Sequence, residues 1–125
     1  MRILLDTSVL LHWIGNTSKV TPRMRDIIGS DRNLVAFSPL SIWECRVKGA
    51  RGRLPLPGDF LGVVRSKDFL ELKFTAEHAD EAGLLPTIHA DPFDRGLIAQ
   101  ARFEDLTLLT HDRLISKYDV RFELV

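Results

Sequence analysis

A chain of 125 residues, 45% hydrophobic and 27% charged, has the size and composition of one globular domain over residues 1–125, able to bury a core without disulfides or structural metal. Its 17 basic residues balance its 17 acidic ones, which excludes a broadly basic nucleic-acid binder but leaves room for a local basic patch beside an acidic pocket. One cysteine, Cys45, excludes an internal disulfide, and no Cys/His cluster has zinc-ligand spacing. The N-terminus carries one arginine and a very short apolar run before an acid, neither a signal peptide nor a spanning helix, so a cytoplasmic protein away from membranes is expected.

Ile3-Leu4-Leu5 has no polar alternation and suits a strand buried on both faces of a parallel sheet. Asp6 follows where that strand ends, at the edge where open α/β sheets bind ligands. A helix is predicted from Thr7 to Ile14, with Val9, Leu10, Trp13 and Ile14 as its apolar stripe. Gly15 to Ser18 is a loop. Thr21-Pro22 then pairs an N-cap with proline at the first helical position, opening a helix from Arg23 to Ile28. Leu34 to Phe37 is a second buried strand, and Ser38-Pro39 opens the next helix by the same logic. Leu40, Ile42, Trp43 and Val47 are expected to form its buried face, while Glu44 and Lys48 make an i,i+4 pair. Gly49 and Gly52 end the helix, and Arg51 to Pro57 is a loop.

Asp59 is predicted to cap a helix running to about Lys67, and Phe69 to Phe74 alternates weakly as a third strand. Thr75-Ala-Glu77-His78 carries a cap signal with acid in the first turn, for a helix to Leu85 that Pro86 stops. After the polar loop Thr87–Asp91, Pro92 begins a strong helix with Phe93, Leu97, Ile98, Ala101 and Arg102 at helical spacing. Leu106 to Thr110 is a fourth strand, His111 to Ser116 a short helix, and Arg121 to Val125 a terminal strand. Strands alternating with helices imply a three-layer α/β/α domain around a mainly parallel sheet of four to five strands.

On this layout Asp6, Glu44, Asp94 and Asp112 all lie near the carboxyl edge of the sheet. Carboxylates gathered there repel one another, and a hard divalent cation such as Mg²⁺ or Mn²⁺ would compensate them and suit phosphodiester chemistry. Each acid also has a structural reading. Asp94 and Asp91 suit the first turn of a helix dipole. Glu44 has its pair with Lys48, worth about 0.3–0.5 kcal/mol. Asp112 can cap the last helix. Asp6 resists such a reading best, because few structural roles need an acid at the end of a central strand.

The pieces Leu4-Leu5-Asp6-Thr7, Ser41-Ile42-Trp43-Glu44 with Lys48, Gly52-Arg53-Leu54-Pro55-Leu56-Pro57, His89-Ala90-Asp91-Pro92-Phe93-Asp94-Arg95 with Ile98-Ala99-Gln100-Ala101, and Leu109-Thr110-His111-Asp112 stand in the order seen in PIN-domain ribonucleases. The set most resembles the VapC toxins of bacterial and archaeal toxin–antitoxin pairs, over nearly the whole chain. The resemblance implies a Mg²⁺- or Mn²⁺-dependent endoribonuclease acting on structured RNA such as tRNA or rRNA. Asp6, Glu44, Asp94 and Asp112 are then the catalytic and metal-binding acids, with Thr7 or Ser8 and Thr110 in support. It also implies a cognate VapB-like antitoxin. Gly96 and Cys45 depart from the family pattern, where larger aliphatics are usual, and are expected to loosen packing.

Arg46, Lys48, Arg51 and Arg53 put four cations in eight residues beyond Glu44, either a solvated helix end or phosphate contacts beside the acids. Arg95 can hold substrate phosphate or a neighbouring acid. His12, His78, His89 and His111 lack metal-ligand spacing, and His89 reads as a hydrogen-bonding residue at a helix entry. Trp13 and Trp43 are expected in core or interface packing, and a homodimer is expected with the Trp13 region as a candidate interface. Two other classes compete with the nuclease. One is a non-catalytic module of the same fold that binds RNA or a protein. The other is a phosphoacceptor or haloacid-type phosphatase domain, which needs a second acid beside Asp6 where this chain has Thr7 and Ser8.

Overall fold

A computed structural model describes residues 1–15, 18–52 and 56–125. The chain runs β1 (Arg2–Leu5), α1 (Thr7–Gly15), α2 (Pro22–Ile28), β2 (Leu34–Phe37), α3 (Pro39–Ala50), α4 (Phe60–Arg65), β3 (Leu70–Glu71), α5 (Ala76–Leu84), α6 (Pro92–Phe103), β4 (Thr107–Thr110), a 3₁₀ turn (Arg113–Lys117) and β5 (Phe122–Leu124). The strands form one sheet in the order β3-β2-β1-β4-β5, every neighbour parallel. Helices cover both faces, which gives the three-layer α/β/α arrangement. Among the described residues no helix is long and apolar enough to cross a membrane.

The apolar run of β1 is buried on both faces because the pleat sends alternate side chains to opposite sides. Ile3 and Leu5 join Val35, Phe37 and Leu109 under Leu10, Met24 and Phe60, while Leu4 joins Ala36 and Leu108 under Leu97 and Ile98. Each of these three β1 side chains is fully buried, a gain of about 1.5–3 kcal/mol apiece. With β2 on one side of β1 and β4 on the other, strand order reverses at β1, and the crevice opens beyond the carboxyl ends of β1 and β4.

The cap signals hold. Thr21 Oγ1 accepts from the Met24 N–H, Ser38 Oγ from Leu40, and Asp59 Oδ1 from Gly62. Thr75 and His78 complete a reciprocal capping box: Thr75 Oγ1 accepts from the His78 N–H while His78 Nδ1 accepts from the Thr75 N–H.

Several expected details are corrected. β3 pairs over two residues rather than across Phe69–Phe74, because its partner β2 ends at Phe37, where Ser38 turns into α3. Phe74 instead turns its ring toward His78, at a centroid distance of 5.8 Å. The last short helix is a 3₁₀ turn begun by Asp112. On α3 the buried residues are Ser41, Glu44 and Cys45, and Trp43 is 62% exposed. Leu40 and Ile42 pack partly buried against the two cores as expected, but Trp43 turns outward because α3 packs its polar side over the crevice. Cys45 is fully buried in the first core cluster, and burial pushes its thiol up to about 12, which leaves it unreactive.

Gly96 does not loosen the packing. A Cβ there would lie 2.4 Å from Leu40 Cδ1 and 3.4 Å from Phe74 Cε2, so glycine is what lets α6 approach α3. Gly96→Ala is expected to lower stability by about 1 kcal/mol in urea titration, since the Leu40 tip can turn aside only in part.

Candidate metal centre

Asp6 follows β1 directly and is held from three directions. Its Oδ1 accepts from the Thr7 N–H at 2.8 Å, its Oδ2 from the Thr110 hydroxyl at 2.6 Å, and its N–H donates to the Leu109 carbonyl. Thr110 Oγ1 in turn accepts from the Asp112 N–H at 2.9 Å, so one buried hydroxyl ties the end of β4 to the first acid and the backbone of the fourth. Burial pushes the Asp6 carboxyl above its ordinary value despite these hydrogen bonds, and the nearby Glu44 and Asp112 charges add to the rise.

Glu44 comes from α3 and is only 3% exposed. Its Oε2 accepts from Lys48 Nζ at 2.6 Å, while its Oε1 is buried with no hydrogen-bond partner. Such an orphan acceptor is costly unless something else occupies it. Asp94 sits in the first turn of α6, where burial and then the Asp6, Asp91 and Glu44 charges push its carboxyl up to about 7. Asp112 both begins the 3₁₀ turn, with Oδ1 accepting from the Leu114 N–H, and places Oδ2 2.8 Å from His89 Nε2.

Asp6, Thr7, Ser8, Leu11, Glu44, Lys48, Asp91, Asp94 and Asp112 line a cavity of about 200 Å³. All four expected acids therefore meet, although they come from four separate stretches of chain. Within the cavity, ligand oxygens of Glu44, Asp91 and Asp94 lie within 4.8 Å of one another, as do those of Asp94 and Asp112 with a His89 ring nitrogen. An oxygen-rich set of this kind, with one buried oxygen unpartnered, fits a hard divalent cation. A roomier cleft of about 520 Å³ between α5 and α6 lacks this character: none of its carboxylates is buried, and Arg102 is engaged by Glu81 at 3.1 Å.

Two participants were not expected from sequence. His89 Nε2 lies 3.1 Å from Asp94 Oδ2 as well as 2.8 Å from Asp112 Oδ2. Its Nδ1 accepts from the Asp91 N–H, so the proton sits on Nε2 and is directed between the two acids. Asp91 caps α6 through the Phe93 N–H at 2.8 Å and still lines the cavity. The His89-Ala90-Asp91-Pro92 entry was visible as a helix start, but nothing in its spacing showed that this entry borders the acids.

The supporting and basic residues divide. Thr7 reaches Asp6 through its N–H, whereas its hydroxyl meets Ser41 Oγ at 2.9 Å and braces α1 against α3. Ser8 lines the cavity. Of the cations, Lys48 enters the cavity and Arg51 is exposed at the end of α3, while Arg46 stacks over Phe60 at 5.8 Å. Arg53 lies outside the described residues. Arg95 is turned away from the acids and donates to the Ala82, Leu85 and Pro86 carbonyls, closing the end of α5. Arg95→Ala is expected to lower stability by about 1–3 kcal/mol in chemical denaturation.

A PIN domain family model matches residues 3–121. The structure is similar to a chain of VapBC2 from Rickettsia felis, solved with a DNA fragment from its promoter, at a TM-score of 0.70 and 16% identity, covering 100% of this chain and 99% of that one. It is also similar to a chain of DNA-bound VapBC from Salmonella typhimurium, at 0.70 and 20% identity over 98% and 97% of the two chains. PAE2754 from Pyrobaculum aerophilum gives 0.63 and 22% identity over 97% and 87%. Likeness at these identities is one of fold. Comparison with curated proteins gave no match. With the family model spanning nearly every residue, and the acids gathered at the carboxyl edge of a β3-β2-β1-β4-β5 sheet, the chain belongs to the PIN domain family.

Proposed function

We propose that the protein is a Mg²⁺- or Mn²⁺-dependent endoribonuclease, the toxin of a toxin–antitoxin pair, with Asp6, Glu44, Asp94 and Asp112 as its acids. The observation that carries this reading is the buried, unpartnered Glu44 Oε1 in a cavity shared with the other three. Water adds to a phosphodiester phosphorus and the bond to the 3′ oxygen breaks, leaving a 3′-hydroxyl and a 5′-phosphate. A divalent cation bound by the acids would polarise the phosphoryl oxygens and lower the pKa of bound water.

The chain's own residues prepare that step. Thr110 and the Thr7 N–H fix the Asp6 carboxylate, and Lys48 holds one Glu44 oxygen so that the other stays free. His89 keeps a proton between Asp94 and Asp112, which moderates their repulsion before the cation arrives. Without the cation, burial and the neighbouring carboxylates hold Asp94 up at about 7, the repulsion that a bound cation would relieve.

A VapB-like antitoxin is the partner this reading calls for, supported by the likeness to chains of VapBC complexes. Homodimerisation and a cytoplasmic location belong to the same proposal. Lys48 and Arg51 are the RNA phosphate contacts. Arg51→Ala is expected to reduce the slope of log affinity against log salt by about 0.7, the share of one single-strand phosphate contact. Incubation of purified protein with tRNA and rRNA, followed by sequencing of 5′-phosphate ends, tests the whole reading. Discrete cuts that vanish with EDTA are expected. Binding without cleavage would favour the non-catalytic module, and cuts that survive EDTA would remove the cation.

A further inference from the structure

Trp43 belongs to a motif that also carries Glu44, yet the acid pocket makes no use of it, and it is 62% exposed. Its ring stands edge-on to Phe93, with centroids 5.1 Å apart and planes at 84°. Trp43, Val47 and Arg51 are spaced i, i+4, i+8 along α3 and so share one helix face. Val47 and Arg51, with Lys48, Asp91, Pro92 and Phe93, line a groove of about 400 Å³, of the size that holds small ligands. Lys48 and Asp91 line the acid cavity too, so the groove adjoins it.

We propose that this groove, with the Trp43–Phe93 aromatic pair at its edge and Lys48 and Arg51 beside it, is a subsite for an unpaired nucleotide next to the scissile phosphate. The inference rests on the nuclease reading above and names how the substrate is held. Phe93 lines the groove, and Trp43, which lines the adjoining cleft with Ile42 and Leu61, meets it edge-on, so an exposed ring stands ready for the face of a base, which every base presents, while the two cations suit the phosphates on either side of it. Because the groove shares Lys48 and Asp91 with the acid cavity, that nucleotide lies beside the reacting phosphorus. A nucleotide fits the groove better than an apolar peptide does, because Arg51 is exposed at its rim and Lys48, one of whose N–H groups goes to Glu44, keeps others for a phosphate.

The test uses short single-stranded RNA and an abasic oligonucleotide of the same length and charge, each titrated in EDTA so that nothing is cut. Trp43→Ala is expected to weaken RNA binding about tenfold, the size of one base–aromatic stack, and to leave abasic binding unchanged. In Trp13→Phe protein, whose remaining tryptophan is Trp43, RNA should quench tryptophan emission and the abasic chain should not. Equal binding of RNA and abasic oligonucleotide, or a Trp43→Ala protein that binds RNA as the wild type does, overturns the subsite. The two readings fail separately. Base-dependent binding through Trp43 with no cleavage in Mg²⁺ overturns the nuclease and keeps the subsite, whereas cleavage with an indifferent Trp43 does the reverse.

Discussion

Asp6→Asn, Glu44→Gln, Asp94→Asn and Asp112→Asn are each expected to lose at least about a hundredfold in RNA cleavage while remaining folded. Displacement of reacting groups by about 1 Å already costs that much, and each substitution removes a charged oxygen from a cavity of only about 200 Å³. The four should differ in stability. Asp6→Asn disturbs two hydrogen bonds from Thr7 and Thr110, and Asp112→Asn loosens both the 3₁₀ turn and the His89 contact. Asp94 is bound by fewer structural contacts and mostly feels repulsion, so its loss should be the easiest to bear. Cleavage assays beside circular dichroism decide the matter. Near-normal turnover in Asp6→Asn would remove the acid site as the seat of catalysis.

The second large effect is on stability as a function of pH. In EDTA the Asp94 carboxyl titrates near 7 when folded and near 3.8 when unfolded. Between those values the folded state holds a proton that the unfolded state has released, so stability falls as pH rises. The stabilisation is fully present below about pH 4 and is lost by the time pH passes 7, with an upper bound on the order of 4 kcal/mol. Asp94→Asn lacks this slope. It should match the wild type near pH 5 more closely than at pH 8, and at pH 8 it should be the more stable of the two. Mg²⁺ should narrow that gap by binding the wild type, adding about 2.7 kcal/mol at a hundredfold excess over its dissociation constant and much less for the variant. Urea titrations at both pH values, with EDTA and with Mg²⁺, read all of this. A variant less stable than wild type at pH 8 in EDTA, with equal responses to Mg²⁺, would make Asp94 a plain helix-end acid.

Much of the architecture was legible because local rules and the fold agree. Ile3-Leu4-Leu5 reads as a doubly buried strand, and the pleat sends its side chains to two separate cores. The Ser38-Pro39 and Thr75 starts are genuine caps, and Asp91-Pro92 opens α6 as its spacing suggests. The family's acids could be named because their motifs survive in order along the chain, and the fold does bring all four to one cavity.

What one-dimensional reading missed lies where burial is polar. Periodicity assumes that a helix turns its apolar side inward, but α3 lies over a crevice lined with acids, so Ser41 and Glu44 go in and Trp43 comes out. Arg95 read as a partner for substrate phosphate or a neighbouring acid, yet three carbonyls at the end of α5 take its guanidinium. His89 lies five residues before Asp94 and more than twenty before Asp112, and only the meeting of β4 with the α6 entry sets it between them.

The sequence by itself determined four of the five strands, the caps and the layered α/β class, since each follows from spacing within a single element, while the acids were named only through motifs that resemble a family's. Tertiary structure alone decided which oxygens meet and which cation faces them. It also left Glu44 Oε1 buried without a partner. Those outcomes depend on how four elements converge at one sheet edge, and convergence across a hundred residues leaves no mark in local periodicity.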